Sequence, residues 1–118
     1  VPKYSNPTGN IYSAEVVDRF ARLGNQAAPD FRIMWDNAYA VHDHHPHAPE
    51  LTNLMELCRL QGTEDSVFMM GSSSKVTLAG AGISFLGGSK SNLDYFLQQM
   101  ACWTIGPDKV NQLRHARR

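Results

Sequence analysis

Three short apolar runs, Phe31–Trp35, Ser66–Met70 and Gly82–Gly87, alternate with stretches whose apolar residues recur at helical spacing. This alternation constrains the fold more than any other feature of the chain. Ser13 can cap a first helix running to about Gln26, with Val16, Phe20, Leu23 and Ala27 on one face, and Pro29-Asp30 ends it. Leu51–Leu60 predicts a second helix with Leu51, Leu54, Met55 and Cys58 as its stripe and Gly62 as its stop. Ser91 can open a third, with Leu93, Phe96, Leu97 and Met100 packed inward, and Pro107 fits the first turn of a fourth. Strands joined through helices favour crossover units and parallel pairing. A strand as continuously apolar as Ser66–Met70 suits a sheet covered on both faces. The expected class is therefore α/β, a three-layer sandwich with a mostly parallel sheet and helical crossovers.

The 118 residues suffice for one domain with a real core. Eleven basic residues balance eleven acidic ones, so no long-range field steers the chain to nucleic acid or to an anionic membrane. No apolar run approaches a membrane span, no signal peptide is visible, and no repeat or low-complexity tract occurs. Cys58 and Cys102 both fall in apolar helical patterns and read as reduced core residues, which points to the cytoplasm. Val1–Tyr4 reads as the tail of a strand, and Val110–Arg118 as a helix without a closing cap. The expectation is a central piece of a larger protein.

In open sheets with crossovers, ligands sit beyond the carboxyl ends of the strands. The strand-like starts end in Ser5-Asn6-Pro7-Thr8-Gly9, Asp36-Asn37-Ala38-Tyr39 and Ser72-Ser73-Ser74-Lys75. Parallel strands would bring an amide, a carboxylate, a phenol, several hydroxyls and an amine to one edge. Each cluster alone has an ordinary explanation: Asn6–Gly9 as a turn, Asp36 as a cap, Lys75 as a solvated lysine, Asn37 as a structural turn residue.

Taken in order, Asn-Pro-Thr-Gly, Asp-Asn-Ala-Tyr and Ser-x-Ser-Lys resemble the fold-type I aminotransferases that use pyridoxal 5'-phosphate (PLP). Thirty residues separate Asn6 from Asp36 and 39 separate Asp36 from Lys75, each enough for a crossover and a strand. The text from Ser74 to Phe85, and Thr104 to His115, is similar to a bacterial aspartate-aminotransferase-like subgroup. The resemblance implies that residues 1–118 are part of a PLP-binding large domain, with an N-terminal part and a C-terminal small domain elsewhere. It implies that Lys75 binds the cofactor covalently and moves the proton at the substrate α-carbon. Asp36 pairs with the pyridine nitrogen, Asn6 and Tyr39 with the ring oxygen, and Ser72 and Ser74 with the phosphate. Asn6-Pro7 is a candidate cis peptide. The implied partners are an L-amino acid, aspartate first, a 2-oxo acid such as 2-oxoglutarate, and a second subunit in a homodimer. Many members carry an arginine seven or eight residues after the lysine, where it holds the phosphate; here that stretch reads Gly82-Ile83.

A PLP-sensing domain of a transcription regulator would share these motifs and would need a DNA-binding segment upstream. The tract His42–His47 suggests a metal, yet its histidines fall on a Pro-containing loop, and a solvated loop beside the cofactor pocket is the expectation, with no metal site. Gly80–Gly88 is not a nucleotide loop, since Ser89 separates its last glycine from Lys90.

Overall fold

A computed structural model describes residues 1–117. Its elements are α1 (Ala14–Leu23), β1 (Ile33–Asp36), α2 (Leu54–Gln61), a short 3-10 turn (Glu64–Ser66), β2 (Val67–Ser72), β3 (Ser84–Gly88), α3 (Lys90–Met100) and α4 (Lys109–Ala116). Local chemistry sets most ends. Ser13 caps α1 by accepting from the Val16 amide. Asn53 accepts from the amides of Met55 and Glu56, so α2 starts after Asn53 and not at Leu51. Gly62 closes α2 in the left-handed conformation at φ 68°, where a side chain is disfavoured. Ser89 and Asp108 cap α3 and α4. Pro107 therefore precedes the cap and lies outside the first turn.

The sheet is three-stranded in the order β1-β2-β3. β1 and β2 run parallel, with Trp35 beside Met69 and Asp36 beside Met70. β2 and β3 run antiparallel, with Met70 beside Leu86 and Ser72 beside Ser84. The sheet is thus mixed, which corrects the expectation of a mostly parallel one. The reason lies in the connection: 73–83 contains no helix, and a parallel return needs a crossover. Val1–Tyr4 forms no strand in the described sheet, and Tyr4 has φ 51°, incompatible with extended backbone.

The core lies on one face of the sheet, where α1 and α2 cover Ile33, Trp35 and Val67 with Val17, Ala21, Leu54, Met55 and Cys58. Tyr12 stacks on Phe20 at 5.7 Å, and Trp35 meets both rings edge-on. α1 turns Val17 and Ala21 fully inward, whereas Leu23, expected on the inner face, is exposed. The inner stripe is thus displaced by one position, and its two small side chains permit close approach. Side chains alternate along a strand, so Met34, Asp36, Phe68, Met70 and Ser72 project from the opposite face. That face is the less covered one: Met34 is 59% exposed. Among the described residues α3 reaches this face at its start, where Asn92 lies beside Phe68 and Gly88, and leaves Met34 open, so the structure supports α/β but not the full three-layer sandwich.

Two further expectations change. The α3 stripe is not core: Leu97 is exposed, Leu93, Phe96 and Met100 are half-buried, and Asn92 is the buried residue of that helix. Cys102 is exposed while Cys58 is buried, and both are free thiols. Burial pushes the Cys58 thiol above its ordinary pKa, keeping it protonated.

Candidate active site

β1 delivers Asp36 to the edge of the sheet. Its Oδ1 accepts from the Ala38 amide at 3.1 Å, an Asx-type turn, and no described residue bonds Oδ2. The Asn37 amide donates to the Met70 carbonyl at 2.8 Å and carries the parallel ladder one step beyond Asp36. Asn37 thereby serves as a structural turn residue. The next turns present Tyr39 and His42, whose rings meet edge-on at 5.2 Å. His42 Nε2 lies 3.3 Å from the carbonyl oxygen of Lys75. A carbonyl only accepts, so Nε2 carries a proton. Nδ1 of the same ring is buried without a partner, as is Asn37 Oδ1.

β2 delivers the serines. Ser72 Oγ accepts from the Ser74 amide at 3.1 Å and donates to Ser74 Oγ at 3.0 Å. Ser74 Oγ thus accepts here and keeps its own proton uncommitted among the described residues. Lys75 sits on the exposed crest of a turn closed by the Val76 and Thr77 amides on the Ser73 carbonyl, at 3.0 and 2.9 Å. Gly82 packs against this turn: a Cβ there would stand 2.2 Å from Ser74 Oγ and 2.8 Å from Ser74 Cα. Gly82, the first of the two positions at which the resemblance would place an arginine, therefore admits no side chain without displacing the lysine turn.

The parallel pairing of β1 and β2 puts Asp36 and Ser72 at the same end of the sheet, and the turns bring Tyr39, through His42, to the backbone of Lys75. Asn6 stands apart. It is exposed, precedes a cis bond to Pro7, and lies in a turn closed by Ser5 and Asn10. Its link to the rest is indirect. Lys3, 6% exposed, donates to Asp43 at 2.9 Å and to the Ala40 carbonyl at 3.4 Å, and the Tyr4 hydroxyl donates to Asp43 at 2.7 Å. Lys3 first and Tyr4 second hold the Asp43 carboxyl below its ordinary pKa, and Asp43 pushes the Tyr4 phenol up. These contacts tie the Asn6 loop to the loop that follows Tyr39.

Sequence reasoning missed Lys3, Asp43 and His42 in these roles. His42 follows Tyr39 by one turn, the one signal that could have found it. Among the described residues, no three His, Cys, Asp or Glu side chains form a group able to hold a metal ion. A cavity of about 330 Å³ bordered by Trp35, Asn37, Leu54 and Met69 opens on the helix-covered side of the sheet, not on the face from which Asp36 and Ser72 project.

A family model described as "Aspartate amino-transferase" matches residues 1–118. A relative from Mycolicibacterium smegmatis is 48% identical over 117 residues, which covers 99% of this chain and 27% of that protein. An aspartate transaminase from Corynebacterium glutamicum, solved crystallographically, superposes with a TM-score of 0.91 at 44% identity, over 99% of this chain and 27% of that one. A crystal structure from Corynebacterium diphtheriae gives a TM-score of 0.91 at 41% identity, over 99% and 29%. The chain thus spans roughly a quarter of the length of the curated relatives it matches. With the family model matching the whole chain, it belongs to the aspartate aminotransferase family.

Proposed function

We propose that the full-length protein is a PLP-dependent aminotransferase that moves the amino group of an L-amino acid, aspartate first, to a 2-oxo acid such as 2-oxoglutarate. One observation carries this reading: the parallel β1–β2 pair sets Asp36 and the Ser72–Lys75 turn at a single edge, in a chain of this family. The donor set fits the cofactor. Asp36 keeps Oδ2 uncommitted for a protonated pyridine nitrogen, Ser74 has a free hydroxyl proton for a phosphate, and Lys75 stands without a hydrogen bond on its turn. When bound, the cofactor ring supplies the electron sink that the side chains lack.

The residues then divide the work. Lys75 would hold the cofactor through its aldehyde and would move the proton at the substrate α-carbon. Asp36 keeps the ring nitrogen protonated. Tyr39 and Asn6 would donate to the ring oxygen, the Lys3–Asp43 tie joining the loops that carry them. Ser72 relays to Ser74, so the two hydroxyls act on the phosphate as one polarised chain. With Gly82-Ile83 where many relatives carry an arginine, phosphate charge is left to be met by these serines, by backbone amides, or by groups outside residues 1–118. The reading includes a cytoplasmic homodimer, with 1–118 as part of the large domain; no described helix is long and apolar enough to cross a membrane.

Borohydride reduction of the full-length protein with PLP, followed by peptide mapping, tests the assignment. Label on Lys75 is expected. Label on Lys90 or Lys109, or none, overturns it. The Asp36→Ala variant should still take the label while losing transamination with aspartate and 2-oxoglutarate.

A further inference from the structure

The turn that carries Lys75 is gripped from the far end of the chain. His115, on α4, places Nε2 2.9 Å from Ser73 Oγ and 3.2 Å from Thr77 Oγ1. Its Nδ1 lies 2.8 Å from the Asn111 carbonyl oxygen. That oxygen only accepts, so Nδ1 bears the proton. With the imidazole neutral, Nε2 is then the acceptor for the Ser73 hydroxyl. The Ser73 oxygen in turn accepts from the Ile83 amide at 2.9 Å, and the Ser73 amide donates to the Ile83 carbonyl at 2.9 Å. Thr77 Oγ1 donates to the Ser73 carbonyl at 2.9 Å. Ser73 is thereby bonded to the lead-in of β3 and to α4, and its carbonyl closes the turn on which Lys75 sits.

We propose that His115 is a positioning residue for Lys75: it fixes the Ser73–Thr77 turn from α4 and so holds the lysine where the cofactor aldehyde is captured. The proposal rests on the reading of Lys75 given above. Gly82 closes one side of the turn against Ser74, and His115 reaches it from α4 as His42 reaches the Lys75 carbonyl from the loop after β1. With the protons so arranged Nε2 accepts from Ser73 alone, while Thr77 Oγ1, its own proton on the Ser73 carbonyl, lies beside the ring at 3.2 Å. A serine–histidine pair also suggests a nucleophile, but here the serine oxygen is already occupied by the Ile83 amide and faces the interior of the turn. The pair is built for holding.

The test uses the full-length apoprotein of the parent and of His115→Leu, His115→Gln, Ser73→Ala and the Ser73→Ala/His115→Leu double variant. Two quantities are read: the rate at which Lys75 captures added PLP, followed by absorbance, and hydrogen exchange at the Val76, Thr77 and Ile83 amides. Losing this part-buried clamp contact should slow capture and raise exchange on the order of tenfold in His115→Leu. His115→Gln, whose amide can still accept from Ser73, should recover most of both. In the Ser73→Ala background His115→Leu should add little, since the contact is already gone. Capture and exchange at parental values in His115→Leu would overturn the proposal, as would effects of the two substitutions that multiply. Should His115→Leu fail to fold, the Ser73→Ala and His115→Gln proteins decide: slow capture in the first and near-parental capture in the second are required. Borohydride mapping of the parent separates this from the wider reading, because label away from Lys75 removes the reading itself, whereas label on Lys75 with unaltered capture in the variants removes only the clamp.

Discussion

The two halves of the chain are held together differently. From Val17 to Val67 the apolar pattern is consumed internally, in a core where Val17, Leu54, Cys58 and Val67 are fully buried. Beyond Val67 the large apolar side chains Phe85, Leu97, Trp103, Val110 and Leu113 are exposed, and the buried residue among those described is a polar one, Asn92. Asn92 donates to the carbonyls of Asp65 and Val67 at 2.9 and 3.2 Å, pinning α3 to the start of β2. The first half is organised by packing and the second by hydrogen bonds: Asn92 on β2, Ser73 on Ile83, His115 on Ser73. The lysine turn belongs to the second kind. Stability and chemistry are therefore carried by separable sets of residues, and substitutions should sort accordingly.

The largest effect is expected at Lys75. In the full-length protein Lys75→Ala should lower turnover on the order of 10⁴-fold or more, since a proton carrier and the covalent anchor vanish together. The melting temperature of the apoprotein should stay at the parental value, because the side chain is exposed and unbonded. A large drop in apoprotein stability would show that the halves are not separable. Next comes Trp35→Ala in the packed half. Trp35 is 4% exposed and meets two aromatic rings, so its loss should cost about 3–5 kcal/mol in denaturant unfolding. A cost under about 1 kcal/mol, the range of a surface change, would contradict the core drawn here.

A smaller effect is expected at Thr63. Its buried hydroxyl donates to the Ala21 carbonyl at 2.7 Å, one of the last four carbonyls of α1, which have no partner within the helix. Thr63→Val keeps the shape and strands that carbonyl, at about 1–3 kcal/mol. An unchanged unfolding midpoint would mean that water reaches the α1 terminus. The smallest concerns Asp43, which joins the loops around the site and contributes to neither core. Its carboxyl is held below the ordinary range by Lys3 and then Tyr4. A lowered folded pKa means that the unfolded chain binds the proton more readily. The contribution is present above the ordinary aspartate range and is lost as pH falls through the lowered folded value. Asp43→Asn should therefore flatten the acid limb of the melting temperature plotted against pH. An acid limb as steep as the parent's would assign that dependence to other carboxylates.

Much of the first half was legible in advance because its signals are local. Ser13 and Gly62 mark helix ends through their own side-chain and backbone chemistry, and Leu54, Met55 and Cys58 repeat at the helical period. The third helix shows the limit of that reasoning. Leu93, Phe96, Leu97 and Met100 have the same period as the α2 stripe, yet no described element covers Leu97. Periodicity states which face is apolar and says nothing about what lies against it.

By itself the sequence determined the Ser13 cap and the Gly62 stop, the three apolar runs, the polar clusters that follow them, and the text of each motif that marks the family. Each depends on residues within a turn or a strand of one another. Tertiary structure alone decided that β3 returns antiparallel, that Cys102 lies in solvent, and that Gly82 leaves no room for a side chain beside Ser74. It alone brought Lys3 to Asp43, His42 to Lys75 and His115 to Ser73, across 40, 33 and 42 residues. Such contacts have no periodic trace in the chain, because two residues that far apart meet only where the packing of the elements between them places their backbones.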